Sequence, residues 1–281
     1  MDKDSALMRL LRTPRGAISA AVLGVIVIAA VLAPVIAPYG YAIQNLRMAN
    51  LEPSPAHWLG TDEFGRDLLS RIIYGARTSL VVGVTSITLS MVCGMALGAA
   101  AGYFGGAFDR AVTVVVDLSW SFPEILLALI LIAILGPGLA STMIAISVAY
   151  LAQFTRLTRA QVMALKSETY IEATIAMGAG SGHVLFRHLL PNAITPVIVA
   201  GMLATGDAII LEATLGFFGL GAQPPTPSWG AMMSSGTAQI FIAPWIIIFP
   251  GLAIAITVIA INQFGDALID ALDIRKRLRE S

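Results

Sequence analysis

The sequence predicts an all-α membrane protein, a bundle of six transmembrane helices, and three observations carry that prediction. Of its 281 residues, 57% are hydrophobic and only 12% are charged, against about 25% charged in a soluble domain. The charged residues are also clustered, so that the apolar runs between them approach the roughly 20 residues a helix needs to cross a bilayer. Those runs lack the strict alternation of barrel strands, and a backbone with no water to bond to must satisfy itself as helix. A soluble enzyme, a secreted disulfide scaffold and a disordered tail are excluded.

The apolar segments fall at roughly 17–38, 78–101, 111–135, 139–161, 193–215 and 245–267. In the first, Ile18–Ala37 follows Arg9, Arg12 and Arg15 but exceeds a signal h-region of about 7–15 residues, so it reads as a retained helix. The second carries Gly94, Gly98 and Gly102, a small-residue face that admits a close neighbour. Its Cys93 is the single cysteine and reads as a small buried apolar residue. In the third, Asp117, Trp120, Ser121 and Glu124 fall on one helical face, and Pro123 is expected to bend the helix. This polar stripe reads either as the wall of a watery path or as an interface with another subunit. Gly136-Pro137-Gly138 forms a tight hairpin into the fourth segment. The fifth holds Asp207 and Glu212, about 140° apart around a helix. Asp207 is the candidate for substrate contact, and Glu212 is a candidate pathway residue with a structural role near an outer gate as the alternative. Trp58, Trp229 and Trp245 lie near segment ends and suit an interfacial belt. His57, His183 and His188 are too scattered for a metal site, and none is expected.

Lys and Arg counts set the orientation. Thirteen lie at the N-terminus, in 102–110, from the end of segment four (Arg156 and Arg159) to segment five (Lys166 and Arg187), and at the C-terminus. Four (Arg47, Arg66, Arg71 and Arg77) lie in the first loop. Both termini are therefore expected in the cytoplasm. Seventeen basic against seventeen acidic residues leave no cationic excess for nucleic acid. No internal repeat is evident, which disfavours an inverted-repeat secondary transporter driven by an ion gradient, a rival that only the membrane carboxylates favour.

Between segments four and five lies a long inner stretch, 162–192. Ser167 and Glu168 can open a short helix that runs Ala-rich to Met177, where Gly178, Gly180 and Gly182 break it. His183–Leu190 is expected to form a second helix stopping at Pro191. Such a knob exposes apolar surface that needs a partner.

This stretch resembles the cytoplasmic EAA loop of binding-protein-dependent ABC importers. Glu172, Ala173, Gly178, Leu190 and Pro191 fall on the matching positions, while Thr174 and His188 depart from them. Leu59–Asp67, and Leu215–Gly221 followed by Pro224–Gly230, resemble segments of the second permease type in the dipeptide, oligopeptide and nickel branch. The resemblance implies a type I ABC importer (MetI-like) permease core. It divides the chain into a cytoplasmic N-terminus (1–16), a first helix with its extracytoplasmic segment (17–74), a five-helix core (75–270) and a cytoplasmic tail (271–281). Glu172, Ala173, Thr174, Gly178, Leu190 and Pro191 would couple to the ATPase. Implied partners are a homologous second permease, two ABC ATPase subunits or domains, and an extracytoplasmic solute-binding protein, in a bacterial or archaeal inner membrane. The chain has no Gly-x-x-x-x-Gly-Lys-Ser/Thr phosphate loop, so ATP and Mg would be held by the ATPase partners, with no cofactor and no catalytic residue here. The implied cargo is a di- or oligopeptide, with nickel chelates, opines and glutathione as alternatives.

Overall fold

The computed structural model describes residues 6–272; Lys3 and the expected tail from 273 onward lie outside them. Its helices are α1 (Ala6–Arg12), α2 (Pro14–Val31), α3 (Ala33–Ile36), α4 (Leu68–Phe104), α5 (Gly106–Trp120), α6 (Glu124–Leu135), α7 (Leu139–Lys166), α8 (Thr169–Ala176), α9 (Ser181–His183), α10 (Leu190–Phe217), α11 (Trp229–Gly236) and α12 (Trp245–Ala271). Among the described residues, the β-pairing is an isolated bridge between Thr61 and Asp67. Helices α2, α4 and α12 and the unbroken run Ser181–Phe217 are long and apolar enough to cross a membrane, and α5 with α6 qualifies as one bent span. Helix α7 has the length, 28 residues, but carries Gln153, Arg156, Arg159 and Gln161 in its second half.

Local chemistry explains the boundaries. Thr13 caps α2, its hydroxyl accepting from the Gly16 N–H at 3.1 Å, and Pro14 sits at the first helical position, where its missing N–H is harmless. At the end of the first apolar segment Ala37 is extended (φ −67°, ψ 127°), as a residue before proline prefers. Helix α4 starts ten residues before the apolar run expected at 78, because Asp67 caps it. Asp67 Oδ2 accepts from the Ser70 N–H at 2.8 Å and the Ser70 hydroxyl at 2.7 Å.

Three expectations are corrected. Cys93, expected to be buried, is exposed on the chain. The third segment bends by 97° between α5 and α6, where Pro123 offers no N–H. Asp117, Trp120 and Ser121 therefore belong to the end of one helix and Glu124 to the start of another, and the four do not form one continuous face. Nor does the helix after the knob stop at Pro191. Helix α9, a π turn (Val184–Leu189) and α10 run on as one helix of 37 residues.

The chain divides into two compact units. One comprises Met1–Val84, Ile132–Met143 and Met202–Ser281. Here α2 packs along α12, and Ala30, Ala76, Ile209, Trp229, Val258 and Ile261 form a buried cluster. Its first loop is organised by buried charge. Asp62 Oδ2 meets Arg66 Nε at 2.6 Å and Arg71 Nε at 3.3 Å, while Asp67 Oδ1 meets His57 Nδ1 at 2.9 Å. The other unit, Thr85–Leu131 and Ile144–Gly201, holds the small-residue contact expected of the second segment. A Cβ on Gly94 would lie 2.6 Å from Phe154 Cβ, one on Gly98 2.3 Å from the Thr155 carbonyl oxygen, and one on Gly102 2.9 Å from the Arg159 carbonyl oxygen.

Candidate functional site

The knob between α7 and α10 is built from its glycine outward. Helix α8 begins at Thr169 with Glu168 as its cap residue, while the Ser167 hydroxyl turns back to the Ala164 carbonyl at 2.8 Å. The helix ends in a Schellman closure: Gly178 N–H donates to Ile175 O at 2.9 Å and Ala179 N–H to Thr174 O at 3.3 Å. That closure needs a left-handed residue, and Gly178 supplies it at φ +87°. A Cβ at Gly178 would meet nothing within 4 Å, so a side chain there is opposed by the backbone conformation and not by a neighbour.

One face of the knob is anchored. Ile171, Val184, Leu185 and Leu189 are buried with Ala99, Val162 and Ala193, and Leu190 packs against the same cluster. The other face is open and apolar: Tyr170 and Ile175 are exposed, Met177 is 81% exposed and Phe186 71%. Glu172 stands exposed in the first turn of α8 and has no ion partner among the described residues, so its carboxylate is neither a cap nor half of a pair. Ala173 is exposed beside it. Thr174 donates its hydroxyl to the Tyr170 carbonyl at 2.7 Å, which satisfies within the helix the one polar group that distinguishes it from alanine. Pro191 is exposed in the first turn of α10. The adjoining π turn brings His183 and His188 to a ring separation of 5.3 Å, so these two are less scattered than their spacing implies. Among the described residues there is no group of three or more potential metal ligands.

The carboxylates of the spans sort into two kinds. Asp117, Trp120, Ser121, Glu124 and Asp207 are all exposed on the chain. Glu212 is 0% exposed and therefore lines no open path. Its polar neighbours are Ser79 and Ser228, though neither carboxylate oxygen makes a hydrogen bond of normal geometry. Ser79 and Ser228 accept from the backbone N–H groups of Trp229 and Ala231 at 3.5 and 3.3 Å, leaving their hydroxyl protons to turn toward Glu212.

Two arginines of α7 join the polar groups of α5. The Arg156 guanidinium lies 4.7 Å over the Trp120 ring, a cation–π contact. Arg159 binds Asp109 through both carboxylate oxygens, Nη2 to Oδ2 at 2.7 Å, and also feels the charge of Asp117. Sequence reasoning used both arginines only for orientation. Their tertiary partners, Asp109 and Trp120, lie some 36 to 50 residues away in sequence, and no local pattern links them. Of the three tryptophans assigned to an interfacial belt, Trp58 is 70% exposed but Trp229 is 2% exposed, and Trp245 Nε1 donates to the Thr61 carbonyl at 3.2 Å.

Comparison with known proteins gives a consistent picture. Residues 94–278 match the family described as the binding-protein-dependent transport system inner membrane component, and residues 4–53 match the N-terminal transmembrane domain of oligopeptide transport permease C. The chain is 43% identical over 258 residues to the dipeptide transport system permease protein DppC of Alkalihalophilus pseudofirmus, covering 90% of this chain and 85% of that one. It is 46% identical over 224 residues to the glutathione transport system permease protein GsiD of Pectobacterium atrosepticum, covering 80% and 74%. Among solved structures, an inward-facing form of the MetNI methionine ABC transporter superposes with a TM-score of 0.59 at 20% identity, over 72% of this chain and 95% of that one. This last likeness is one of fold.

Proposed function

This chain belongs to the binding-protein-dependent transport system inner membrane component family as the permease subunit of an ABC importer, and from that premise we propose that it carries di- or tripeptides or glutathione-like peptides. The named activities of its dipeptide and glutathione relatives support that cargo. As a multi-pass inner-membrane protein it forms half of a translocation path with a second permease. Two ATPase subunits or domains, holding ATP and Mg, dock on the cytoplasmic side, and a solute-binding protein delivers cargo outside. Both termini and the knob lie in the cytoplasm, as the Lys and Arg distribution indicates.

The observation that carries the coupling reading is the two-faced knob, anchored by Ile171, Val184 and Leu189 and open at Met177 and Phe186. The open apolar face fits a groove on the ATPase, and Glu172, with Ala173 and Thr174 on the same short helix, offers an unpaired carboxylate to a basic group there. Gly178 sets the angle of the turn, and Leu190 and Pro191 join it to the span. ATP-driven closure of the ATPases moves the knob, and the rigid attachment passes that motion to α10. Asp117, Trp120, Ser121, Glu124 and Asp207 line the path that opens. Glu212 does not; it is a buried structural group.

The test is Gly178→Asp in the assembled transporter. It places a side chain where φ is positive, a conformation about 1–2 kcal/mol unfavourable, and adds a charge that docking must desolvate. The expected result is a folded, membrane-inserted permease that loses its ATPase on purification or holds it without cargo-stimulated hydrolysis. Normal co-purification with wild-type uptake would overturn the coupling reading. Uptake that stops when a proton gradient is collapsed while ATP is maintained would overturn the ATP-driven one.

A further inference from the structure

One cation in the first compact unit stands outside its buried ion pairs. Arg77 is exposed on α4 and has no carboxylate partner among the described residues, whereas Arg66 and Arg71 are buried and satisfied by Asp62. Arg77 borders a cavity of ≈ 410 Å³ whose wall also includes Tyr41, Tyr74, Thr78, Leu139 and Thr226. That volume falls in the range of small-molecule sites, about 300–1,000 Å³. No aspartate or glutamate lines it.

The cavity is held in shape from behind. The rings of Tyr41 and Tyr74 pack at 4.7 Å, and Arg71 Nη1 donates to the Tyr41 carbonyl at 3.2 Å. The main chain at Tyr41 is thus tied to the buried Asp62 network, and its ring is held against that of Tyr74. The elements that meet here are the start of α4, the start of α7 and the segment after α10, all on the side that the Lys and Arg distribution places outside.

We propose that this cavity is an outer-mouth subsite for the carboxylate of the incoming peptide. A guanidinium presents a planar fork of N–H donors that matches a carboxylate. The Thr78 and Thr226 hydroxyls add neutral donors, and the tyrosine pair with the aliphatic wall takes the apolar body behind the carboxylate. The inference rests on the peptide reading above, and it assigns Arg77 to binding and not to topology alone. A phosphate of a lipid headgroup presents the same oxyanion chemistry, so the experiment separates the two.

The assembled transporter is placed in nanodiscs with a single cysteine at Thr226 in a Cys93→Ala background, and its labelling by anionic and cationic methanethiosulfonates is compared without ATP. Arg77 should favour the anionic reagent by about tenfold, the lower end of what a charged cleft does to encounter rates. Arg77→Lys should keep that bias and Arg77→Gln should abolish it. The dipeptide Ala-Ala should slow labelling, and its C-terminal amide should not. A bias untouched by Arg77→Gln, or equal protection by dipeptide and amide, overturns the site. Protection that needs phosphatidylglycerol in the disc and ignores Ala-Ala assigns the cavity to lipid and overturns it too. The full charge bias with no protection in phosphatidylcholine discs leaves the cationic cavity standing and overturns the peptide cargo. A second cysteine, at Thr78 in place of Thr226, guards against a local effect of the probe.

Discussion

Trp229 is among the largest fully buried side chains of the described residues. Its ring packs with Ala76 and Ile209, and its indole N–H donates to the Ile72 carbonyl at 3.0 Å. Trp229→Ala should therefore destabilise the folded chain by about 3–5 kcal/mol, as large aromatic truncations in packed cores do. Trp229→Phe keeps one aromatic ring and should cost less, about 1–3 kcal/mol, for the lost bond to Ile72 and the smaller volume left unfilled. Thermal unfolding of the two variants in one detergent would show whether they fall in that order. This residue also marks where sequence reading stops at the smallest scale. A tryptophan near the end of an apolar segment can face lipid headgroups or a neighbouring helix, and nothing in its flanks separates the two. Glu212 posed the same difficulty: spacing placed it on α10, but only the fold puts Ser79 and Ser228 beside it. Gly178 was legible, because a glycine after an Ala-rich turn has a positional meaning that needs no tertiary contact.

At the scale of elements, close approach of α4 and α7 depends on absent side chains. With a Gly98 Cβ only 2.3 Å from the Thr155 carbonyl oxygen, Gly98→Ala must push the helices apart and should destabilise by about 1–3 kcal/mol, in the range of overpacked cores. Gly180→Ala, where an added Cβ meets nothing, should stay within about 0.5 kcal/mol; equal effects of the two in thermal unfolding would refute the contact. This pairing was readable from the fourfold spacing of glycines, as was the existence of every apolar helix. Boundaries were less so. Hydropathy sees only the lipid-facing middle of α4, not the outer turns that Asp67 caps. The bend at Pro123 was expected, but its size was not: 97° separates Glu124 from the face it was assigned, and proline alone does not dictate an angle. At Pro191 the reverse happened. A proline that should stop a helix lies inside the continuous run Ser181–Phe217, directly after the π turn Val184–Leu189, where the regular hydrogen-bond ladder is already interrupted.

For the molecule as a whole, orientation rests on charge, and the structure sharpens the count. Two of the four first-loop arginines, Arg66 and Arg71, are buried in ion pairs with Asp62, and Arg159 of the thirteen is paired with Asp109; the rule counts Lys and Arg and not net charge, so the asymmetry stands. In a Cys93→Ala background, single cysteines at Ser181 and Gln223, both exposed, should react with an impermeant maleimide from opposite faces of sealed vesicles, Gln223 from outside. Labelling from one face would reverse the topology. The run from Ser181 to Phe217 is one helix, about 55 Å of chain at 1.5 Å per residue. Its length is a fixed quantity in heredity as well as in mechanics. One codon inserted in it turns everything beyond by about 100°, carrying Asp207 and Glu212 off their present faces, whereas a codon added in a loop shifts nothing. A π turn is how a helix absorbs one residue too many without passing on that rotation. Val184–Leu189 is thus where this helix can take up a change of length.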